Sequence, residues 1–583
     1  MKKVLIVLLA LLLVVTAFAG CRKDTDPGTT TTTTTKGTTA SGATTTTTAA
    51  PTEPALTYPL AEPITITFVC MEHPTVGQMS VVNNPAVDYF VERTGITIEF
   101  EQVPIDAFPV RVNLMLGTGN LPDLLQNAAP LDLNDANQRN LFVNIFEYKE
   151  LLPNFIDFLK ANPDYMEWTA DMLAQPGELY GFPNYFPGNR YGNMNTLAYR
   201  KDLFNKHNLK TDTWENVLES LKFLKQEYPN SYPLGAFDGG ALYDTFAKGF
   251  HSGFGTSGIY FNIDAQEYQF GPYDANFKEA IAWLARANAE GLLHPDAFAA
   301  TRDMLYEQLT NEEIFLFTMP FQPGAWRWEP MFGDRLAKQY REGDRIAEFV
   351  DGDDGVIVQA FRMPKNSAGQ VGWAKFRTGW STYFVISKSS DYVEQIVGFY
   401  DLCYTDPEFS TSLTNGPRGQ AWDFDANGER KYVSDIKTPY NPEGTKTIAE
   451  WWNAKTGATF NSVPYMSSIG VFITDDLLGA ELNFDTQDTR KNHAIPFYED
   501  GSGYFGPTPK LLLDADTSET VALTTTSLAT YVQETLAQFI TGQKSLNDWD
   551  SFLAQCSAMG ADQLLEIHND NFIFFTADDL MID

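Results

Sequence analysis

The sequence predicts an α/β protein built from two lobes. Between residues 64 and 126, strand, helix, strand, helix and strand follow one another, which is the order typical of a parallel α/β layer. The same alternation returns after the middle of the chain, as expected if the chain passes between two lobes more than once. With 583 residues, the chain is long enough for two domains with separate cores, and 43% hydrophobic and 20% charged residues are typical of a globular protein.

The first five predicted elements lie close together in the chain. They are a strand at Ile64–Cys70, a helix at Asn84–Thr94, a strand at Ile96–Val103, a helix at Ala107–Leu116 and a strand at Leu121–Gln126. In open α/β sheets, ligands bind beyond the carboxyl ends of the strands. Glu72 and Gln126 are therefore candidates at a cleft edge, although each could equally be an ordinary surface residue.

The later elements follow the same rules. Thr213 is a good N-cap for a helix, and the remaining predicted elements are helices at Trp214–Tyr228, Ala275–Gly291, Val393–Tyr404, Tyr531–Gly542 and Ser545–Met559 and strands at Ile314–Thr318 and Phe384–Ser387. No internal repeat is evident, so the two lobes are not expected to be copies of one unit.

Residues 1–57 predict export and attachment to a membrane. Two early lysines, the apolar run Val4–Val15 and small residues before Cys21 are typical of a secretory signal, whereas a spanning helix needs about 20 apolar residues. The cysteine resembles the lipidated residue of a bacterial lipoprotein signal, with Phe18 where Leu is usual. An A-x-A motif just before Cys21 also fits ordinary cleavage. The stretch 22–57, rich in Thr, Gly, Ala, Ser and Pro, predicts a solvated tether and favours the anchor.

Composition excludes several function classes. A net charge of −34 argues against nucleic acid and anionic lipid surfaces as partners, because both require clustered Lys and Arg. If Cys21 carries a lipid, Cys70, Cys403 and Cys556 remain, without a C-x-x-C motif, so we expect buried free thiols rather than a disulfide framework or structural zinc. Six scattered histidines without H-E-x-x-H argue against a zinc hydrolase.

Seven short motifs occur in order along the chain. They are G-N-L-P-D-L at 119–124, E-L-Y-G-F-P at 178–183, L-A-Y-R-K-D-L-F at 197–204, E-G-L-L-H-P at 290–295, F-Y-D-L-C-Y-T-D-P at 399–407, N-G-P-R-G-Q-A-W at 415–422 and F-I-T-G-Q-K-S-L-N-D-W-D at 539–550. In this order and spacing, they resemble the motifs of the solute-binding lipoproteins (family 1) of ABC sugar importers, especially the LplA-like branch of Firmicutes.

The resemblance implies a two-lobe, periplasmic-binding-protein-like fold, in which the chain crosses between the lobes several times and the ligand lies in the cleft between them. Closure of the lobes would present a surface to the permease subunits of an ABC importer. The family's usual ligands are oligosaccharides and its ATPase is a separate chain, so we expect a monomer without nucleotide or other cofactor. Two departures leave the ligand open: the lobe-entry motif lacks its Pro at 211–213, and Arg418 replaces an acidic residue.

The same resemblance gives domain boundaries. They are 1–20 for the lipoprotein signal peptide, 21–57 for the Thr-rich tether, 58–193 for the first part of lobe 1, 194–360 for the first part of lobe 2, 361–415 for the second part of lobe 1, and 416–583 for the rest of lobe 2 with the C-terminal helices.

A sugar-binding site needs aromatic faces for C–H groups and planar polar groups for hydroxyls. Trp326 and Trp328 follow a predicted strand in a Pro/Gly-rich loop, and related sugar binders carry a stacking Trp in a similar G-x-W element. The other candidates are Trp380 at a predicted lobe crossing, Trp422, the polar and aromatic segment with Arg190, Tyr191 and Asn193, and Arg418 as a contact for an acidic sugar. Packing in the core is the alternative for each of them.

Two further motifs have simpler explanations. Residues 501–506 fit G-x-G-x-x-G, but no clear strand precedes them and prolines follow, so we expect a loop. Asp423, Asp425 and Asn427 resemble the start of a calcium loop, yet Ser434 stands where the bidentate Glu belongs. A hairpin turn at Asn427-Gly428 explains this segment better, and calcium stays the weaker alternative.

Two other functions stay open at the level of sequence. A secreted glycoside hydrolase would need two carboxylates across a sugar cleft, and 75 acidic residues cannot exclude such a pair. A binder of peptides or of other solutes could use the same fold, because fold does not fix the ligand. Turnover of a polysaccharide would identify the first alternative, and the ligand class would identify the second.

Overall fold

Two β-sheets, each covered by helices, divide the folded chain into two lobes. The computed structural model describes residues 56–72, 85–104, 107–127, 131–133, 135–183, 194–237, 239–321, 331–337, 355–372, 374–376, 384–428, 430–432, 443, 503–504 and 509–582. Residues 55–583 form one compact unit that contains both lobes.

The strands and helices alternate along the described chain. The strands are β1 (Ile64–Glu72), β2 (Ile96–Pro104), β3 (Leu124–Gln126), β4 (Met194–Arg200), β5 (Leu234–Ala236), β6 (Ile259–Asn262), β7 (Glu267–Phe270), β8 (Leu316–Phe321), β9 (Val358–Ala360), β10 (Ala374–Phe376), β11 (Phe384–Ile386), β12 (Trp422–Phe424), β13 (Arg430–Tyr432), β14 (Gly503–Tyr504), β15 (Lys510–Leu511) and β16 (Phe572–Ile573). The helices are α1 (Pro85–Thr94), α2 (Phe108–Thr118), α3 (Ala136–Arg139), α4 (Pro153–Ala161), α5 (Pro163–Ala170), α6 (Lys201–Lys206), α7 (Trp214–Glu227), α8 (Gly239–Gly249), α9 (Ala275–Ala289), α10 (Arg302–Thr310), α11 (Val393–Leu402), α12 (Pro407–Asn415), α13 (Ala515–Thr541), α14 (Trp549–Ala558) and α15 (Ala561–Asn571).

The first lobe is built on a four-stranded sheet with the order β11–β3–β1–β2. Strands β2 and β3 run parallel to β1, as the sequence predicts, whereas β11 is antiparallel to β3. Side chains from both faces of the sheet are buried, with Phe68 on one face and Val69 on the other. This is the burial expected of a parallel sheet covered by helices on both sides.

The second lobe is built on a sheet with the order β14–β10–β4–β8–β5, and β9 also pairs with β4. Its core contains a stack of large rings, in which Trp214 lies parallel to Phe250 at 4.6 Å between ring centroids. The indole N–H of Trp214 donates to the carbonyl of Gly249 (2.9 Å), and that of Trp283 donates to the carbonyl of Trp214 (2.8 Å). Because these polar edges are satisfied, the rings can be fully buried.

The predicted fold class is confirmed: the protein is an α/β protein of the two-lobe, periplasmic-binding-protein-like kind. The chain leaves one sheet for the other between residues 183 and 194 and between 376 and 384. Strand β10 pairs with β4 in the second sheet, although the sequence boundary at 360 assigns it to the first lobe. The C-terminal residues Phe575, Leu580 and Ile582 are buried in the first core, whereas the sequence assigns them to the second lobe.

Individual elements differ from prediction mainly at their ends. Thr213 caps α7 as predicted, with its hydroxyl accepting from Asn216 N–H (3.2 Å). Helix α13 starts at Ala515, where Asp514 accepts from Thr517 N–H (2.7 Å), and is therefore much longer than the predicted helix 531–542. The prediction of a loop at 501–506 is wrong at Gly503–Tyr504, which form β14.

The three remaining cysteines, Cys70, Cys403 and Cys556, are buried free thiols, as predicted. Over the described ranges, we find no helix with the length and apolar character needed to cross a membrane.

Candidate ligand-binding cleft

The carboxyl edge of the first sheet forms one wall of the candidate cleft. The N–H groups of Leu60 and Ile64 donate to the carbonyls of Thr94 (2.9 Å) and Gly95 (3.1 Å), which places the end of α1 beside the start of β1. The start of α1 therefore lies at the opposite edge, where β1 ends. In an α/β sheet, this is the edge at which ligands bind.

One edge of the second sheet collects the ends of three neighbouring strands. Met194, the first residue of β4, pairs with Phe321, the last residue of β8, and with Phe376, the last residue of β10. The three strand ends that border residues 184–193, 322–330 and 377–383 therefore lie at the same edge of the sheet.

Chain connectivity brings the two edges close together. Phe384 pairs with Gln126 at the carboxyl end of β3, and only seven residues separate Phe384 from Phe376 on the second sheet. At 3.3–3.6 Å per extended residue, these two Cα atoms are less than about 30 Å apart. We take the space between these two edges as the candidate ligand-binding cleft.

Six of the predicted ligand-binding residues lie outside the described residues. They are Arg190, Tyr191, Asn193, Trp326, Trp328 and Trp380. Each of them belongs to a segment that borders one of the strand ends Met194, Phe321 and Phe376. Their place in the ligand-binding site therefore stays a prediction.

Glu72 and Gln126 lie at the ends of neighbouring strands on the first-lobe wall. Glu72 is the last residue of β1, where its backbone is in register with Pro104 of β2. The side-chain oxygen of Gln126 accepts from the N–H of Met71 at 2.6 Å, which ties β3 to the end of β1. This hydrogen bond holds the Gln126 carboxamide at the predicted edge.

The turn after α12 joins the same wall. Arg93 at the end of α1 contacts Asp406, just before α12, at 2.5 Å, while Tyr89 packs against Phe409 with 6.2 Å between ring centroids. Helix α12 therefore runs antiparallel to α1, and its last residue, Asn415, lies towards the start of α1. The residues that follow, 416–422, begin at the cleft edge.

Two predicted residues in this turn have different surroundings. Arg418 donates to Asp423 (3.0 Å) and Glu408 (3.0 Å), and these hydrogen bonds raise its pKa. Trp422 is fully buried, and its indole N–H donates to a backbone carbonyl in the same turn (2.9 Å). In this structure Trp422 therefore packs inside the turn, whereas Arg418 reaches solvent, and the ligand-binding role of each stays a prediction.

An aromatic ring beside Arg418 was not among the sequence candidates. The Arg418 guanidinium lies 4.7 Å from the centroid of the Phe424 ring, and Phe424 is 40% exposed. The signal in the sequence is the alternation in Trp422-Asp423-Phe424, which puts the second ring on a strand next to a predicted turn. An exposed ring paired with a cation offers a flat surface of the kind that sugars contact.

The segment with the weak calcium motif forms the predicted hairpin. Strands β12 and β13 pair antiparallel, and the turn is closed by hydrogen bonds from the N–H of Asn427 to the Asp425 carboxylate (2.8 Å) and from Gly428 to the Asp425 carbonyl (3.0 Å). The Asp423 carboxylate is bound by Arg418. Among residues with described positions, no three His, Cys, Asp or Glu side chains are grouped to hold a metal ion.

A charged group near a lobe crossing was missed by the sequence reasoning. Lys510 interacts electrostatically with Asp171, at the end of α5, and with Asp132, shortly after β3. Burial lowers the pKa of Lys510, although both carboxylates oppose that change. Burial also raises the pKa of Asp171 to about 6. Nothing in the sequence pairs these residues, because they are more than 300 positions apart.

Two residues of the recognised motifs stabilise the first lobe. The Asp123 carboxylate accepts from the N–H of Thr67 (2.7 Å), its hydroxyl (2.8 Å) and the Ser390 hydroxyl (2.6 Å). The Asp401 carboxylate accepts from the N–H of Phe155 (2.8 Å) at the start of α4. These contacts give the two acidic positions a structural role.

A comparison with protein families supports this class of fold. Residues 74–315 match the model of a family described as bacterial extracellular solute-binding proteins. The match covers less than half of the chain, and it agrees with the resemblance predicted from the motifs. The assignment to the LplA-like branch stays a prediction. No curated protein matches the chain.

Solved structures of other binding proteins share the fold. The Streptococcus pneumoniae substrate-binding protein FusA in complex with kestose has a TM-score of 0.61 at 17% identity, over 87% of this chain and 98% of FusA. The alginate-binding protein AlgQ2, solved without calcium, has a TM-score of 0.59 at 18% identity, over 89% and 99%. A human-milk-oligosaccharide-binding protein of Bifidobacterium longum infantis has a TM-score of 0.58 at 15% identity, over 90% and 99%.

Proposed function

We propose that this protein is a lipid-anchored extracellular receptor, which captures an oligosaccharide between its lobes and delivers it to the permease of an ABC importer. The observation that carries the proposal is the register Phe376–Met194–Phe321 at one edge of the second sheet. This register supports the proposal because the strand ends that it aligns border three segments that contain predicted sugar-binding residues.

The residue types in these segments suit a sugar. The apolar C–H faces of a pyranose stack on aromatic rings, and its hydroxyls accept and donate in the plane of Arg, Asn and Gln groups. Trp326, Trp328 and Trp380 would supply the rings. Arg190, Asn193 and Gln126 would supply polar contacts, and the Arg418–Phe424 pair would contact a further sugar unit at the rim.

The proteins of similar fold bind sugars, according to their descriptions. FusA was solved with kestose, AlgQ2 is described as alginate-binding, and the Bifidobacterium protein is described as binding human milk oligosaccharides. These ligands favour an oligosaccharide over a peptide for this chain. The family description favours binding without chemistry, so we propose that the protein is not an enzyme.

The anchor rests on Cys21 and the tether that follows it. A single acyl chain gives only weak membrane attachment, so a diacylated cysteine would be needed to hold the protein at the outer face of the membrane. Cys21→Ala is expected to release the protein from the membrane fraction into the medium. A Cys21→Ala variant that stays in the membrane fraction without lipid would overturn the anchor.

The sugar site is tested with single substitutions in residues 55–583. The ligand is the oligosaccharide that raises the melting temperature of the protein most. Trp326→Ala and Trp380→Ala should each raise its Kd by about fivefold or more, because a stacked ring contributes about 1 kcal/mol. Phe223→Ala, on a 40% exposed ring of α7 in the second lobe, is the matched control and should bind as wild type does. Unchanged affinity in both tryptophan variants would remove these rings from the site, and breakdown products would indicate a glycoside hydrolase instead.

A further inference from the structure

The C-terminal residues of the chain are fixed in the first lobe. Phe575, Leu580 and Ile582 are buried in the core of that lobe. The carbonyl of Asp579 accepts from the N–H of Gly177 (2.7 Å), and the Lys149 ammonium donates to the carbonyl of Met581. The tail is therefore packed and hydrogen-bonded, and it does not lie loosely on the surface.

The residues just before the tail are fixed in the second lobe. Asn569, near the end of α15, accepts from the N–H of Tyr268 (2.7 Å) and donates to its carbonyl (2.9 Å). This pair of hydrogen bonds attaches α15 to the β6–β7 hairpin of the second lobe. Helix α15 also packs on the core of that lobe through Leu564.

Between these two anchors, the extended segment Phe572–Phe575, which begins with β16, faces both lobes. The rings of Phe572 and Phe574 lie 5.4 Å and 5.5 Å from the ring of Phe261 in the second lobe. Ile573 and Phe575 pack on the core of the first lobe instead. This alternation follows from the two-residue period of an extended strand, so one short run of apolar residues can contact two bodies at once.

The partner strand passes the same place. Lys510 and Leu511 of β15 pair antiparallel with Ile573 and Phe572 of β16. On one side, Leu512 packs on the core of the first lobe. On the other side, the Tyr268 hydroxyl donates to the carbonyl of Pro509 (3.4 Å). The two-stranded ribbon β15–β16 is thus held from both sides.

We propose that residues 572–582, which we call the strap, act as a clasp that limits how far the two lobes can separate. Opening the lobes would have to pull either Phe572 and Phe574 from Phe261, or the tail from the first core. This inference rests on the lobe closure in the proposed function, because a clasp matters only if the lobes move.

The test measures the distance between the lobes by pulsed electron spin resonance, without any ligand. Val110 on α2 and Glu219 on α7, with 72% and 69% exposure, are replaced by cysteine and spin-labelled in residues 55–583. The native cysteines in this range are buried and should stay unlabelled. Phe572→Ser/Phe574→Ser removes the rings that face the second lobe and leaves the tail in the first core.

The clasp predicts a broader distance distribution, extended to longer distances, in Phe572→Ser/Phe574→Ser. The control Phe158→Ser/Phe298→Ser removes two partly buried rings that each pack within one lobe, and it should keep the wild-type distribution. A second strap variant, whose chain ends at Asn571, should broaden the distance distribution further than Phe572→Ser/Phe574→Ser does. A wild-type distribution in both strap variants would overturn the clasp. The closure proposal fails separately, if no oligosaccharide narrows the distribution of the wild-type protein.

Discussion

Replacing Asp171 by asparagine tests the charged group at the lobe crossing. Burial is the main cause that raises the pKa of Asp171 from 3.8 to about 6, with a contribution from Glu167, while the attraction of Lys510 opposes it. The folded state therefore binds the proton more tightly than the unfolded state does. The corresponding stabilisation is complete below pH 3.8 and is lost as the pH rises through about 6.

The size of this effect follows from the two pKa values. The difference between the ordinary pKa of 3.8 and the pKa of about 6 in the folded protein corresponds to about 3 kcal/mol of folding free energy, at about 1.4 kcal/mol per pKa unit. Residual solvent around the side chain makes this an upper bound. Between pH 4 and pH 7, the ionisation of Asp171 should therefore lower the free energy of unfolding by up to about 3 kcal/mol, and Asp171→Asn should remove that dependence.

The assay is urea unfolding of residues 55–583 at several pH values from 4 to 7.5. The free energy of unfolding of Asp171→Asn minus that of the wild type should increase steadily from pH 4 to about pH 6 and level off above it. Glu167→Gln removes a carboxylate from the same helix and is the control, which should keep most of the wild-type slope. A constant difference between Asp171→Asn and the wild type would refute the reasoning, because it would show that Asp171 titrates alike in both states.

Three further predictions concern the scaffold of residues 55–583. Asp123→Ala should lower the free energy of unfolding by about 1–3 kcal/mol in urea, since the N–H and hydroxyl of Thr67 lose their acceptor; stability equal to that of the wild type would contradict this. Trp422→Phe should cost about 1–3 kcal/mol by leaving the carbonyl of Gly416 without its donor, and a loss no larger than that of an exposed Phe223→Leu control would count against it. Burial raises the pKa of Cys556 to about 12, so native protein at pH 8 should not react with a thiol reagent until urea is added; rapid labelling of the native protein would disagree.

The local rules of sequence predict much of the scaffold. The Thr213 hydroxyl caps α7, and the apolar spacing of Phe277, Ile281 and Leu284 buries one face of α9, as the helical period requires. Alternation of strand and helix gives the parallel order of β1, β2 and β3. These features depend on residues close in sequence, which is why a sequence contains them.

The features that sequence did not predict depend on contacts between distant segments. The start of α13 at Ala515 was missed because threonines have low helix propensity, which packing in the fold overrides. The two-faced run at Phe572–Phe575 appears in sequence only as a short apolar stretch. Its division between two lobes becomes visible once Phe261 and the first core are placed around it.

In the candidate site, too, some features follow from local sequence and others depend on contacts between distant segments. Sequence predicts aromatic and polar ligand-binding residues near positions 190, 326 and 380, but it could not show that the strands bordering these positions end at one sheet edge. That result requires the pairing of Met194 with both Phe321 and Phe376. Conversely, the burial of Trp422 depends on the turn around Gly416, which motif comparison alone does not describe.

The measurement that tests the central claim most directly is a thermal-shift screen of residues 55–583 against plant and bacterial oligosaccharides, with peptides and calcium as controls. A ligand at a hundred times its Kd stabilises the folded protein by about 2.7 kcal/mol, which raises the melting temperature visibly. We predict a raised melting temperature with an intact oligosaccharide and no breakdown products. A shift with peptides alone would contradict the proposed ligand, and the release of products would contradict binding without chemistry.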